Sequence, residues 1–288
     1  MVFRIKKYYY YIAAALAVMI IAFSFFATNG TIYSMQSDEI ALPIVMYHQL
    51  TKSESRAGRY VLTLEQFEKD LIFLKEKGYE TVTVSQFLDY SQGKGKLPEK
   101  AIMITFDDGC ETLYAYAKPL LEQYGFTAVG FVVGSLADYY TELDDHNLNY
   151  SNLNWAEIKE LSMGNTVEIQ SHSYDLHKNT GYRSGAKKKK GETFEQYAEF
   201  LGADASKMKT EMLKHTGKAP VAIAYPFGSF SSESKEILKK YGIKMAFTCE
   251  ERVNIVKKAE PERLFGLGRY NRPSGISSES FFEKMGIN

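Results

Sequence analysis

The sequence predicts an α/β fold, most economically a distorted (β/α) barrel. Short apolar runs of strand length alternate with helix-like segments along most of the chain, as in parallel sheets. Apolar residues make up 45% and charged residues 24% of the 288 residues, which is ordinary for a globular protein. The 35 basic and 35 acidic residues balance, so the composition argues against intrinsic disorder and against a nucleic-acid partner.

The first thirty residues predict a membrane or export segment. Arg4, Lys6 and Lys7 precede an apolar run from Tyr11 to Ala27, which is close to the minimum length for a helix that spans a bilayer. The basic flank predicts a cytoplasmic N-terminus and an exported body. Because no small-x-small cleavage site follows, residues 1–30 favour an uncleaved signal anchor over a cleaved signal peptide. We therefore expect a body held outside the cell membrane, or a secreted protein if the segment is cleaved.

The rest of the chain predicts a linker and one domain. Residues 31–42 are mostly polar and predict the linker, and residues 43–288 predict the domain. Thr63 is expected to cap a helix that runs to Gly78. The runs predicted as strands are 43–47, 80–84, 101–106, 127–133, 166–170, 221–225, 243–248 and 265–269. Further helices are predicted at 119–124, 155–161, 194–215, 232–240 and 278–284, and a polar insertion at 138–154.

Two adjacent carboxylates follow a strand of the buried type. The run 101–106 ends in Asp107, Asp108 and Gly109. In a barrel, residues just beyond the carboxyl end of a strand face the functional site. Two neighbouring carboxylates repel each other unless a cation offsets their charge. The same three residues are also ordinary turn chemistry, so this motif alone leaves both interpretations open.

Two of the five histidines, His172 and His177, lie on the segment that leaves another predicted strand. On a loop both imidazoles can converge, and with one carboxylate they suit a divalent metal that keeps open positions. The alternative is a hydrogen-bonded loop without a metal. A third strand ends in Tyr225, Pro226 and Phe227, a turn whose backbone N–H could face a developing oxyanion.

These motifs resemble those of a known family. The Thr-Phe-Asp-Asp-Gly motif at 105–109, the His-Ser…His motif at 172–177 and the Tyr-Pro-Phe-Gly turn at 225–228 occur in the order typical of the polysaccharide deacetylase family. This family is carbohydrate esterase family 4, also called the NodB-homology domain. The resemblance extends over residues 43–282 and makes 43–288 a catalytic domain. It implies a distorted (β/α) barrel of the NodB-homology type that hydrolyses N-acetyl, or less often O-acetyl, groups on a sugar polymer.

The resemblance also implies residue roles. Asp107 matches the catalytic base of the family, and Asp108, His172 and His177 match the metal ligands. Zinc suits two imidazoles and a carboxylate best, although iron, cobalt and nickel also suit this set. We expect the metal to polarise the acetyl carbonyl and the backbone N–H of Phe227 to hold the oxyanion.

The chain departs from the family pattern at three points. Four residues rather than three separate the histidines, which resembles the branch that deacetylates poly-β-1,6-N-acetylglucosamine of biofilm matrix. Ala224 stands where an arginine usually steadies the base, and we expect Arg269 to supply that cation. No C-terminal histidine motif is present, and His48 matches the histidine that takes its role in this branch. As an imidazolium, His48 would protonate the departing amine.

The remaining tyrosines, cysteines and histidines near the motifs have simpler expected roles. Tyr47, Tyr174 and Tyr225 lie within the motifs, and we expect them to stack on sugar rings. Cys110 and Cys249 could form one bridge, which the sequence does not decide. Trp155 is expected to pack in the core, and the lysine run at 187–190 is expected to form a solvated loop. His146 and His215 belong to no motif.

The sequence leaves three functions open. The first is metal-dependent removal of N-acetyl groups from extracellular poly-β-1,6-N-acetylglucosamine, and the second is the same chemistry on N-acetylglucosamine of peptidoglycan or chitin type. The third is a catalytically silent glycan-binding protein at the cell surface, suggested by Ala224 and by the absent C-terminal histidine motif. The expected partners are an N-acetylated glycan and, through residues 1–30, the membrane.

Overall fold

A computed structural model describes residues 39–288. The predicted signal segment at 1–30, and most of the predicted linker at 31–42, lie outside the described residues. The last part of that linker differs from the prediction, because Glu39–Leu42 forms a strand paired antiparallel with Asn254–Lys257. Within residues 39–288, no helix combines the length and the apolar character that crossing a bilayer requires.

The described chain alternates strands and helices. The strands are β1 (Glu39–Leu42), β2 (Ile44–Tyr47), β3 (Gln49–Thr51), β4 (Val61–Thr63), β5 (Glu80–Thr81), β6 (Ala101–Phe106), β7 (Ala128–Val132), β8 (Val167–Ser171), β9 (Ala222–Ala224), β10 (Met245–Phe247), β11 (Asn254–Lys257), β12 (Phe265–Leu267) and β13 (Tyr270–Asn271). The α-helices are α1 (Leu64–Glu76), α2 (Val84–Ser91), α3 (Lys118–Tyr124), α4 (Gly134–Leu143), α5 (Trp155–Met163), α6 (Phe194–Thr216), α7 (Ser234–Lys240) and α8 (Ser278–Glu283). A π-helical turn at Leu113–Ala117 precedes α3.

The main sheet is parallel and curls as the (β/α) barrel class predicts. Its strand order is β12-β10-β9-β8-β7-β6-β2-β13, and β5 pairs with β6. The two edge strands are consecutive in sequence and are separated only by Gly268 and Arg269. This short connection brings the opposite edges of the sheet together. The curl is irregular, because β8 and β9 share one paired position and the register between β10 and β12 shifts.

Both faces of the central strands are buried, as in α/β proteins. In β6, Ile102 and Ile104 pack with helices α1 and α3, whereas Met103 packs on the other face with Phe131 and Phe247. The second group forms an apolar interior inside the curled sheet. The carboxyl ends of the strands lie at one end of this interior and carry polar residues.

Local sequence explains where prediction and structure differ. The strand predicted at 80–84 is shorter because Thr83 and Gln86 form a capping box that begins α2. The predicted insertion at 138–154 is partly helical, since α4 starts at Gly134. A side chain at Gly134 would meet the Tyr174 ring at 2.5 Å, so only glycine allows this close packing. The remaining loop, residues 144–154, lies against the turn that follows β6.

Candidate active site

A buried ion pair lies at the carboxyl end of β6. Asp107 and Arg269 are 2% and 0% exposed, and two short hydrogen bonds join them, from Nη1 to Oδ1 at 2.6 Å and from Nη2 to Oδ2 at 2.7 Å. The Arg269 Nε also donates to the Thr248 carbonyl. Arg269 therefore contacts Asp107, and its predicted role in steadying the base stays a prediction. The arginine reaches this carboxylate from the connection that joins the two edges of the sheet.

This pairing controls the charge of Asp107. Burial alone would raise the pKa of Asp107, but the Arg269 guanidinium reverses the effect and leaves the pKa below its ordinary value. Arg269 lies over the rings of Phe131 and Phe247, at 5.5 and 5.9 Å, so it caps the apolar interior. The result is a carboxylate that stays ionised although water does not surround it.

Beside this pair, three predicted ligands come together. The Asp108 Oδ1 lies 3.3 Å from His172 Nε2 and 3.1 Å from His177 Nε2. Asp108 has φ 69°, a conformation that an L-residue adopts at a cost and that is typical of functional turns. It turns the Asp108 carboxylate toward both imidazoles, while Asp107 points to Arg269. The two adjacent aspartates thus face different partners within one site.

The surroundings hold these ligands in place. The His172 Nδ1 lies 2.9 Å from the Ala224 carbonyl, and a proton on that nitrogen would leave Nε2 with a free lone pair. The Asn152 amide donates to the Asp108 carbonyl at 2.6 Å. Asp204 accepts hydrogen bonds from the backbone N–H groups of Tyr174 and Asp175, which fixes the loop between the histidines.

The donor set fits a divalent metal. The Asp108 Oδ1 is buried and makes no hydrogen bond within the described residues, although both ring nitrogens face it. A buried carboxylate oxygen without a donor is costly unless a cation completes it. Burial would raise the pKa of Asp108, yet the two imidazoles hold it well below its ordinary value. The ionised carboxylate and the two imidazoles could therefore bind a divalent cation.

His48 follows β2 and lies at the same end of the sheet. Its ring packs edge-on against Tyr60 with the ring centroids 4.8 Å apart. Burial lowers the pKa of His48, and the carboxylates of Asp107 and Asp108 oppose this only in part. This direction differs from the sequence expectation of an imidazolium, because removing the ring from water disfavours its charged form.

The expected stacking tyrosines are placed differently. Tyr47 and Tyr225 are both 1% exposed and pack in the core, so neither presents a ring face to a sugar. Tyr174 is partly buried, and its hydroxyl donates to Asp138 at 2.6 Å. The stacking predictions for Tyr47 and Tyr225 are wrong, because aromatic residues beside a motif also fill the space between the strand end and the helix. The exposed rings of Tyr60 and Phe227 lie beside His48 and His177. Phe227 belongs to a sequence motif, whereas Tyr60 does not and was missed.

The Tyr-Pro-Phe-Gly turn borders the Asp108–His172–His177 cluster. Pro226–Gly228 forms a short 3₁₀ turn in which Pro226 is buried and Phe227 has φ 58°. The Phe227 ring lies 4.5 Å from the His177 ring, and nearly half of its surface is exposed. This places the Phe227 side chain beside the ligand cluster. Its predicted oxyanion role stays a prediction.

The remaining residues have structural surroundings. Cys110 and Cys249 are free thiols, so the possible bridge between them is not formed. Trp155 is buried as predicted and stacks on His215 at 4.6 Å. In the lysine run, Lys188 pairs with Glu233 at 3.0 Å.

Comparison with known proteins agrees with the motifs and the geometry. The polysaccharide deacetylase family matches residues 94–246, which is more than half of the chain. The chain belongs to the polysaccharide deacetylase family. A relative named poly-beta-1,6-N-acetyl-D-glucosamine N-deacetylase from Staphylococcus aureus is 30% identical over 200 residues, or 69% of this chain. The chain spans 65% of the length of that relative. A Staphylococcus epidermidis protein of the same name is 28% identical over 73% of this chain and 68% of its own.

Solved structures share the polysaccharide deacetylase fold. The deacetylase PplD of Streptococcus pyogenes, in complex with acetate, superposes with a TM-score of 0.69 at 20% identity, covering 85% of this chain and 98% of that chain. IcaB from Ammonifex degensii superposes with a TM-score of 0.67 at 24% identity, covering 86% and 97%. At these identities the likeness establishes the fold.

Proposed function

We propose that this chain is a metal-dependent deacetylase that removes N-acetyl groups from an extracellular N-acetylglucosamine polymer, most specifically poly-β-1,6-N-acetylglucosamine. The observation that carries the proposal is the placement of the Asp107–Arg269 pair beside the Asp108–His172–His177 cluster. A buried base next to a set of metal ligands suits amide hydrolysis. The names of the staphylococcal relatives support the choice of polymer.

In this proposal Asp107 is the general base. Arg269 occupies one side of its carboxylate and keeps it ionised, so the remaining lone pairs are available for the proton of the attacking water. The guanidinium also fixes the carboxylate in one orientation, which a flexible lysine would not do. Asp107 would therefore accept the proton of the attacking water in one fixed geometry.

Asp108, His172 and His177 would hold the metal. When bound, a divalent cation would polarise the acetyl carbonyl and lower the pKa of a water at the site. Zinc is our first choice for two imidazoles and one carboxylate, with iron, cobalt and nickel as alternatives. The contact of His172 with the Ala224 carbonyl supports this assignment, because it orients Nε2 toward Asp108.

His48 is proposed to protonate the departing amine. Because burial lowers the pKa of His48, its ring favours the neutral form, and it would take one proton from solvent before the carbon–nitrogen bond breaks. That proton then passes to the amine nitrogen as the carbon–nitrogen bond breaks. The exposed rings of Tyr60 and Phe227 flank this region and offer apolar faces for sugar rings.

The test of this function is amine release by the purified full chain. Poly-β-1,6-N-acetylglucosamine, peptidoglycan and chitin oligomers are compared, each after chelation and after each divalent metal is restored. We expect metal-dependent release, fastest on the β-1,6 polymer. Asp89→Asn, an exposed carboxylate on α2, is the matched control for Asp107→Asn. Amine release from another polymer alone would assign that polymer as the substrate. Glycan binding without amine release under any metal would favour the silent glycan-binding protein.

We further propose that residues 1–30 anchor the chain in the cell membrane with the catalytic domain outside. The basic flank and apolar run of the sequence support this proposal. Protease added to intact cells should digest an anchored domain, and a secreted form would instead appear in the medium. Protection until lysis would overturn the proposal.

A further inference from the structure

A second cluster of ligating side chains lies outside the site described above. It consists of Glu111, which follows the Asp107–Asp108 turn, His146 in the loop 144–154, and Glu157 in the first turn of α5. One oxygen or nitrogen atom from each residue lies within 4.8 Å of the other two. Three separate segments of the chain therefore meet at this point.

The geometry directs one ligand atom of each residue into the cluster. The His146 Nδ1 lies 2.7 Å from Glu111 Oε1 and 3.7 Å from Glu157 Oε1. The other oxygen of Glu157 accepts the backbone N–H of Asn154 in a capping box, which holds Oε1 toward His146. On the far side of the ring, Nε2 lies 3.5 Å from Asp144 Oδ1. A carboxylate behind a ligating imidazole is a common arrangement at metal sites.

An unpartnered buried oxygen indicates that this cluster is incomplete. The Glu111 carboxylate is 6% exposed, and its Oε2 has no hydrogen-bond partner among the described residues. Burial raises the pKa of Glu157, and the nearby Glu111 carboxyl adds to this shift. Two carboxylates and one imidazole thus carry excess negative charge and an unfilled acceptor, and a cation would satisfy both.

The loop 144–154 connects this cluster to the catalytic turn. The Glu111 N–H donates to the Ser151 carbonyl at 2.9 Å, and the Leu153 N–H donates to the Gly109 carbonyl at 2.8 Å. Asn152 donates to the Asp108 carbonyl. A ligand that fixed Glu111 to the loop would therefore also stiffen the turn that presents Asp108.

We propose that Glu111, His146 and Glu157 form a second divalent-metal site, which clamps the loop 144–154 onto the turn of the catalytic ligands. Two carboxylates and an imidazole suit a transition-metal dication such as Zn²⁺ or Mn²⁺ better than Ca²⁺, which prefers oxygen ligands alone. Binding displaces the proton from His146 Nδ1, and the remaining proton on Nε2 faces Asp144. The role is structural, and no step of the reaction depends on it.

The test counts Zn²⁺ ions on a chain whose catalytic cluster has been removed. The full chain carrying Asp108→Asn and His177→Ala is stripped with chelator, dialysed against Zn²⁺, and analysed for bound zinc by atomic emission. We expect this variant to retain one Zn²⁺ per chain, against two for the wild type. Adding His146→Ala should abolish the remaining ion, whereas adding His215→Ala, the matched control on α6, should leave it. Zn²⁺ should also raise the Tm of the double variant by several degrees, and of the His146→Ala variant not at all.

Because His146 is half exposed, its substitution leaves the fold intact and the comparison stays informative. No zinc on the double variant would overturn the second site, as would one ion that survives His146→Ala. Neither result depends on turnover, so failure of this inference is distinguishable from failure of the proposed deacetylase activity.

Discussion

Two buried aspartate–arginine pairs lie near the place where the sheet closes, and they differ in what else contacts the carboxylate. Asp107 pairs with Arg269, and Asp70 on α1 pairs with Arg272 at 2.8 and 2.9 Å. Arg269 lies in the connection between the two edge strands, and Arg272 directly follows β13. Asp70 also accepts hydrogen bonds from Tyr47 and Ser278, whereas within residues 39–288 the carboxylate of Asp107 receives hydrogen bonds from Arg269 alone.

The difference supports a structural role for the Asp70–Arg272 pair and the proposed chemical role for the Asp107–Arg269 pair. Four donors surround Asp70, so its lone pairs are occupied and the group can only hold α1 and the C-terminal segment together. Asp107 keeps lone pairs that no donor fills, and these are the ones a water proton would need. The pairing with arginine is the same in both, and the unfilled side of Asp107 is what distinguishes the proposed base from Asp70.

The largest expected effect is on turnover by Asp107→Asn. The amide cannot accept a proton, so amine release from the β-1,6 polymer should fall by about 10³-fold. The measurement is kcat at saturating polymer and metal, normalised to folded protein. Asp70→Asn is the matched control, and its folded fraction should turn over within about threefold of wild type. Equal losses in the two variants would remove the distinction between the pairs.

Asp70→Asn should act on stability instead. It leaves the Arg272 guanidinium buried opposite a neutral group, and breaking a buried pair in this way costs about 3 kcal/mol of unfolding free energy. Chemical denaturation followed by circular dichroism measures this change. An Asp70→Asn variant as stable as wild type would show that the charge of Asp70 adds little to the hydrogen bonds that an amide oxygen can still accept.

Arg269→Lys should change the pH profile. Arg269 lowers the pKa of Asp107, so replacing its two parallel hydrogen bonds by one lysine contact should raise that pKa. The base must be ionised to act, and the acid limb of kcat/KM therefore moves to higher pH, with a loss of about 30-fold at neutral pH. Arg272→Lys is the control and should leave the limb in place. A limb that moves equally in both would contradict a specific role of Arg269.

The sequence predicted the residues that follow local patterns. Asp107 and Asp108 end a buried strand, and the two histidines leave another, so the expectation that they converge needed only the barrel class. Arg269 was expected near Asp107 because the family resemblance asks for a cation there and because Arg269 ends a predicted strand, and the structure brings the two together. Each of these inferences used a strand end as a fixed reference.

Long-range contacts were harder to predict. Asp70 and Arg272 are separated by about 200 residues, and neither has a motif, so their pairing appears only in the folded chain. Tyr225 was expected to face a sugar because of its motif, yet its ring packs in the hydrophobic core. His146 had no recognisable neighbours in sequence, although Glu111 and Glu157 lie beside it in space.

A third buried aspartate sharpens the comparison, because no cation pairs with it among the described residues. Asp204 accepts only the N–H groups of Tyr174 and Asp175, and burial raises its pKa to about 6. Its folded-state pKa lies above the unfolded value of about 4, so the folded protein binds the proton more tightly. The resulting stability is complete below about pH 4 and is lost as the pH rises through about 6.

Asp204→Asn removes this titration while it keeps one acceptor for the loop between His172 and His177. The unfolding free energy of wild type, minus that of Asp204→Asn, should therefore fall by about 2 kcal/mol between pH 4 and pH 7. Urea denaturation at a series of pH values measures the difference, and effects common to both proteins cancel. Asp175→Asn, at a half-exposed neighbour, should show a much smaller fall. A constant difference for Asp204→Asn would mean that the two N–H groups offset the cost of burying the carboxylate and leave its pKa at the unfolded value.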